Sequence, residues 1–429
     1  MQYSDRGELM NIVGIVAEYN PFHCGHLHHL QEAKRQTNAS AAISVMGGNF
    51  LQRGEPALLN KWARARMALA SGVDLVFELP FAYATRSANL FALGAVALLA
   101  RTGLVTHLVF GSESGNLEEL QAVADILEEE PPFFSRCLRE ELEKGRGFAA
   151  ARATALRLYL KAENRGRPHL GGLLSQPNNI LGIEYLRALK RLESRIQPVT
   201  IRRFGPAYHS NSLSGPQASA SAIRAGLSGE PTPGNDLEGI RQMLPASSWD
   251  ILRQEMESGR APVTEQSLSQ ITLAILRRTT PEALRVTPDV ETGLEQRIIA
   301  SARETSTLAA LVDQVTTKRY PASRIRRILV YLLVGLTRDM DASFHMAGGP
   351  QYLRLLGSSA GGRRILRLLR QSAALPVVHR PAVSRRQFSP AADQMLALDI
   401  LATDLYVLLY PDHDRRAGLD FRQGPARVE

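Results

Sequence analysis

His23, Gly25 and His26 stand in the string AEYNPFHCGHLHHL, directly after the apolar run NIVGIVA (11–17). Two imidazoles around a glycine, at the mouth of a helix, suit anion chemistry. The first turn of a helix offers unpaired N–H groups and a partial positive charge to whatever lies before it. Gly25 lets backbone approach a phosphate closely, and imidazoles can donate to phosphate oxygens while charge builds there. A lone histidine would read as a helix cap; His-x-Gly-His after a strand reads as a site. His28 and His29 extend the histidine-rich start. A metal would want acidic or supporting partners not visible nearby, so no metal is expected and both should face solvent.

These residues need a frame that presents them at one edge. AAISVM (41–46), DLVFEL (74–79) and HLVFG (107–111) are further short, branched, apolar runs that read as buried strands. HLHHLQEAKRQ, PALLNKWARARMALAS and SANLFALGAVALLART alternate with them as helices. Strand–helix alternation predicts an α/β fold with a parallel sheet, whose ligands lie at the carboxyl edge of the strands. PVTIRRF (198–204) adds a strand, after a helix that begins near Asn178, while Leu117 to Arg165 reads as a helical insertion. The Gly, Pro, Ser and Asp cluster LSGEPTPGNDLEG (227–239) marks a boundary. Two domains follow, 10–228 and 229–429, the second an all-α domain.

The composition bounds the rest. With 429 residues, 44% hydrophobic and 22% charged, the chain is neither disordered, collagenous nor coiled-coil. Cys24 and Cys137 are too few for a disulfide scaffold or a cysteine zinc site, which fits a reducing compartment. No signal peptide or membrane-spanning run is visible, so a cytoplasmic protein without a membrane partner is expected. Residues 1–9 look dispensable, with Met10 a candidate start. The formal charge is +9, and it is not spread evenly: Lys318 to Arg386 holds 14 Lys and Arg against Asp339 and Asp341. Such a block is what a polyanion selects, and nucleic acid is favoured over a membrane surface. Lys318, Arg319, Arg324, Arg326 and Arg327 lead into an apolar helix. Arg363, Arg364, Arg367 and Arg370 recur along GGRRILRLLRQ, with Arg363, Arg367 and Arg370 on one face. Arginines facing outward from an amphipathic helix can lie along phosphates.

His23-Cys24-Gly25-His26 resembles the T/H-x-G-H signature of the nucleotidylyltransferase superfamily. GIVAEYNPFHCGH, VMGGNFLQRGEPALLNKWARARMAL, GVDLVFELP, FGSESG, QPNNILGIEYL, IRRFGPAYHS and SASAIR together resemble, in order, the bacterial tRNA(Met) cytidine acetate ligase family. The resemblance continues at TTKRYPASRIRRILVYLLVGL and YLRLLG, so it covers most of the chain after residue 10. It implies a Rossmann-like nucleotidylyltransferase domain bearing a helical tRNA-binding domain. It implies an ATP-dependent ligase: acetate and ATP, with magnesium, give acetyl-adenylate, and the wobble cytidine of elongator tRNA(Met) becomes N4-acetylcytidine.

Carried over by motif, the ATP-binding residues are Val16, Ala17, Glu18, Tyr19, Asn20, Pro21, Phe22, His23, Cys24, Gly25, His26, Leu27, His28, His29, Gly111, Asn178, Asn179, Arg203 and Phe204. SASAIR resembles the superfamily's ISSTxIR element, which adds Ser219, Ser221 and Arg224 over the phosphates. His23, His26 and Arg224 are the expected catalytic groups. Cys24 is not expected to carry the acyl group, because an adenylate is already activated. Lys61 could reach the triphosphate, but solvation on a basic helix is the expectation, and Trp62 is expected in the core. Two other readings compete: a small-molecule adenylyltransferase, and an inactive tRNA-binding protein of the same fold. The basic second half counts against the first, the intact signature against the second.

Overall fold

The structure, a computed structural model, describes residues 10–163, 168–203, 220–227 and 237–429. Three strand–helix units and a fourth strand open the chain: β1 (Ile12–Ala17), α1 (Cys24–Thr37), β2 (Ala41–Gly47), α2 (Lys61–Ala70), β3 (Leu75–Leu79), α3 (Phe81–Ala84), α4 (Ala88–Arg101) and β4 (His107–Ser112). The expected helical insertion follows as α5 (Leu117–Glu129), α6 (Pro132–Glu143) and α7 (Phe148–Ala162), before α8 (Pro177–Arg191) and β5 (Gln197–Arg202). Beyond α9 (Ala220–Leu227) come α10 (Leu237–Met243), α11 (Ala246–Glu257), α12 (Ser269–Arg278), α13 (Pro281–Arg285), α14 (Leu294–Glu304), α15 (Leu308–Val315), α16 (Ala322–Val334) and α17 (Arg338–Met346). The chain closes with β6 (Leu353–Ser358), α18 (Gly362–Ser372), β7 (Val377–Val378), α19 (Pro381–Ser384), α20 (Pro390–Tyr406), α21 (Leu419–Arg422) and β8 (Ala426–Arg427). Residues 1–9 and the expected boundary at 228/229 lie outside the described residues.

The α/β class and the parallel sheet are as the alternation predicts. The sheet runs β5-β4-β1-β2-β3-β6-β7, with β8 also on β6. β1 to β5 are all parallel. The second half is mainly helical, but the expectation that it is all-α needs correcting. YLRLLG forms β6, antiparallel to β3, with Leu75 opposite Ser358 and Glu78 opposite Arg354. Its signal was hidden because LRLLGS is leucine-rich, carries an arginine and a glycine, and lacks the β-branched residues that mark the other buried strands. One core spans the sheet face carrying α4, α8, α16 and α20, and a smaller one lies beneath α1, α2 and α11.

Charge, not only apolar packing, joins β3 to β6. Lys61 is wholly buried, against the expectation of a solvated side chain. Its Nζ donates to Glu78 at 2.8 and 2.9 Å and stands 2.9 Å from Asp420 Oδ1. Arg354 pairs with the same two carboxylates. Beside them the Tyr352 hydroxyl donates to Asp399 at 2.5 Å, and Asp399 accepts from Phe81 N at 2.7 Å. Removing one member of a buried ion pair strands the others in low dielectric. Lys61→Ala should therefore cost about 3–5 kcal/mol of unfolding free energy, measured by chemical denaturation. A loss under about 1 kcal/mol, the range of exposed pairs, would mean that water reaches the cluster.

Candidate active site

β5, β4 and β1 end side by side, and the candidate residues gather there. After Ala17 the chain crosses this edge as a strap, Glu18 to Phe22, with Tyr19 in the left-handed region (φ 47°). Three anchors hold the strap. Arg64 Nη1 donates to Glu18 O at 2.6 Å, Leu58 N to Asn20 Oδ1 at 2.7 Å, and Arg224 Nη1 to Asn20 O at 3.0 Å. The Glu18 carboxylate accepts from Gln52 N at 2.8 Å, and burial pushes its pKa up. Tyr19, Phe22 and His26 pack ring against ring.

His23 caps α1 by accepting from Gly25 N on Nδ1 at 3.0 Å, and His26 Nδ1 accepts from His23 N at 3.2 Å. Each imidazole thus uses Nδ1 as an acceptor, so the neutral ring carries its proton on Nε2. The rings lie 4.0 Å apart. Gly25 is required: a Cβ would fall 2.7 Å from His23 Cε1. Burial, then Arg203 and Arg224, lowers His23 to about 3; burial, His23 and Arg203 lower His26 as well. His28 is exposed, as expected, but His29 is half-buried and held near 4 by burial and Arg203. Among the described residues no three His, Cys, Asp or Glu gather to hold a metal. Cys24 is half-buried, and burial raises its thiol.

Gly111, next to last in β4, stands between two of these groups: a Cβ would meet Arg203 Cγ at 3.2 Å and His29 Cδ2 at 3.9 Å. Arg203, exposed just past β5, donates to Asn178 Oδ1 at 2.9 Å. The asparagines do more than open α8. Asn179 is fully buried, and its Oδ1 accepts from Glu113 N and Ser114 N at 2.9 and 3.1 Å. Glu113 answers by accepting from Asn178 N and Asn179 N at 3.1 and 2.7 Å, so a carboxylate occupies the first turn of α8. Arg224 also donates to Ser221 Oγ at 3.3 Å. Phe204 and Ser219 lie outside the described residues.

Sequence reasoning missed Glu113 and Arg64. Arg64 is wholly buried and donates to carbonyl oxygens of Glu18, Gly47, Gly48 and Leu59, tying the strap to the β2 loop. The signal was present in NKWARAR, where basic residues interrupt an apolar helix at spacings that put some of them inside. Trp62 is in the core, as expected.

The basic residues divide into two groups. Arg319 and Arg324 pair with Glu291, Arg326 with Glu265, and Arg327 faces Asp289 at 3.9 Å. Those acids lie outside the segment counted along the sequence, so the linear surplus overstates the local field. Lys318 is exposed. Arg363, Arg364, Arg367 and Arg370 are all exposed on α18, while Ile365 and Leu369 are buried. α18 lies at the edge where the parallel strands begin: Ser359 N donates to Asp74 O, and Ser372 Oγ to Thr102 O at 2.9 Å. The histidines lie at the opposite edge.

The depressed histidines carry a pH signature. The unfolded chain takes up these protons as pH falls through about 6.5, while the folded site resists. Their contribution to stability is therefore complete above about 6.5 and lost as pH falls toward 3–4. Ring-carbon NMR shifts of His23 and His29 should stay on the neutral plateau from about pH 7 to about 5. Midpoints near 6.5 for both would remove the burial argument.

The sequence matches the family described as HIGH Nucleotidyl Transferase over residues 10–420. It is 42% identical to the tRNA(Met) cytidine acetate ligase of Halothermothrix orenii over 417 residues, covering 95% of this chain and 97% of that one. With the ligase of the same name from Syntrophomonas wolfei the identity is 44% over 421 residues, 97% and 99% of the two chains. The crystal structure of Thermotoga maritima TmcAL bound with alpha-thio ATP superposes with a TM-score of 0.90 at 37% identity, covering 98% of this chain and all of that one. The chain belongs to the HIGH nucleotidyl transferases and, within them, to the tRNA(Met) cytidine acetate ligase family.

Proposed function

We propose that this protein activates acetate with ATP and acetylates N4 of the wobble cytidine of elongator tRNA(Met). The observation that carries the reading is the pair of buried imidazoles at the strand edge, each accepting a backbone N–H on Nδ1, with Arg203 close enough to depress both and Arg224 to depress His23. An acetate oxygen attacks the α-phosphorus of ATP while the bond to pyrophosphate breaks. The cytidine N4 then attacks the acetyl carbon; the bond to AMP breaks and the amine loses a proton. His23 and His26 donate from Nε2 to phosphate oxygens, and Arg224, steadied by Ser221, neutralises charge that builds on them. Arg203 does the same from the β5 side, its fork suited to paired oxygens. The segment from Val16 to His29, strap included, and Gly111 would lie against the nucleotide, and Asn178 and Asn179 would hold the wall beside it. Magnesium would enter with the phosphates. A ligand of this type on the Thermotoga maritima relative supports ATP in this cleft.

Residues 10–228 are proposed as the ATP and acetate region and 229–429 as the RNA-docking region, although both feed one sheet. No helix among the described residues is long and apolar enough to cross a membrane. A cytoplasmic protein working on tRNA fits this reading.

Incubation with ATP, acetate and bulk tRNA should yield N4-acetylcytidine on nucleoside analysis, and an otherwise active protein that makes none would overturn the proposal. Donors aimed at transition-state charge are worth about 10²–10³ in rate, so His26→Ala should slow acetyl-adenylate formation at saturating ATP by that factor while ATP still binds. Turnover near wild type would reduce the histidines to caps.

Arg363, Arg364, Arg367 and Arg370 are proposed as an outlying RNA contact, reached by a long RNA running down the side of the sheet. Changing Arg363, Arg367 and Arg370 together to Ala should weaken binding of full-length tRNA. Its salt slope should fall by about one unit for each phosphate no longer neutralised. Acetate-dependent pyrophosphate exchange should survive. Unchanged tRNA binding at every salt concentration would show this face to be merely solvated.

A further inference from the structure

An open cavity of about 750 Å³ lies between the β3–α4 link, α13, the 288–292 loop and the ends of α16 and α17. Arg86, Arg285, Arg319, Arg324 and Arg338 line it. Three acids stand among them. Asp341 accepts from Arg86 Nη2 at 2.8 Å, and Glu291 takes Arg319 and Arg324 at 2.6 and 2.8 Å. Asp289 gives its carbonyl to Arg324 and its carboxylate faces Arg327. Arg285 pairs with Glu295 at 2.8 Å, whereas Arg338 donates to the carbonyls of Thr287 and Val290. The wall stays net cationic.

The floor is unusual. Arg86 is 4% exposed and stacked over Tyr331, yet its Nη1 has no hydrogen-bond partner among the described residues. Behind Arg86, the buried Tyr331 hydroxyl is also unpartnered among the described residues. An unpartnered guanidinium N–H in the wall of a cationic cavity calls for an acceptor-rich ligand. The position says which kind. Arg86 follows β3 as His23 follows β1, and the two strands are parallel, so both lie at one edge, with β2 between them. The space between is continuous protein: Gln52 holds Glu18, and a Cβ at Gly54 would meet Arg327 N at 2.4 Å. The ends of β1 and β3 stand two strand spacings, about 10 Å, apart, so one polynucleotide can follow the edge past both.

We propose that this cavity takes one backbone phosphate of the RNA's anticodon arm, with Arg86 as the buried donor and Arg319 as its exposed one. The proposal rests on the tRNA reading above. It is tested with the isolated anticodon stem–loop. Arg86→Gln should lower the salt slope for this RNA by about one unit. A neutral methylphosphonate at one backbone position should weaken binding to wild type but not to Arg86→Gln. If Arg86→Gln melts early because Asp341 loses its partner, Arg319→Ala, 59% exposed in its side chain, gives the same readout. Wild-type slopes in both variants, or no methylphosphonate position that separates them, would overturn the site while leaving acetylation intact. Pyrophosphate binding that depends on Arg86 beside an unchanged RNA slope would assign the cavity to a small anion instead. Wild-type protein that neither binds the stem–loop nor makes N4-acetylcytidine would remove the tRNA reading itself.

Discussion

The buried charge cluster around Lys61 is the constraint on which the rest depends. A lysine, an arginine and two carboxylates, all hidden from water, stabilise the fold only when every partner is present. Those partners come from α2, β3, β6 and α21, so one cluster requires the C-terminal elements to fold against the first strands. Antiparallel β6 and the buried faces of α16 and α20 follow from that docking, and with them the cationic wall beside β3. Apolar packing would tolerate other arrangements of these helices; matched buried charges do not.

The candidate active site uses charge in the opposite way. Its cations, Arg203 and Arg224, surround histidines kept neutral by burial and by those same cations. A neutral imidazole with its acceptor nitrogen bound to backbone can only donate from the other. The fold therefore fixes the tautomer before any ligand arrives, and an incoming polyphosphate meets oriented donors without a proton having to be moved.

Legibility followed the range of the forces involved. The five parallel strands were readable because each is a short apolar run flanked by turn residues, and the histidine signature because its spacing is local. Lys61 was misjudged and Arg64 missed because their partners, Asp420 in one case and four carbonyls in the other, are brought in only by tertiary structure. Strand β6 was missed because its leucines, arginine and glycine carry no β-branched signature. The surplus of arginines after residue 318 was countable, but its field was not, since Glu265, Asp289 and Glu291 lie elsewhere in the chain. Glu113 looked like any surface acid until the α8 start was set against it.

Antiparallel pairing of β3 with β6 also bears on how the chain is born. More than half of the polypeptide separates the two strands. At roughly 5–20 residues per second of synthesis, β3 waits on the order of tens of seconds for its neighbour. During that interval the ribosome holds a half-built sheet with a bare apolar edge and a lysine that lacks one of its carboxylates. Such an edge is a template for pairing with another nascent chain. This topology therefore leaves the β3 edge without its partner until the C-terminal elements are made.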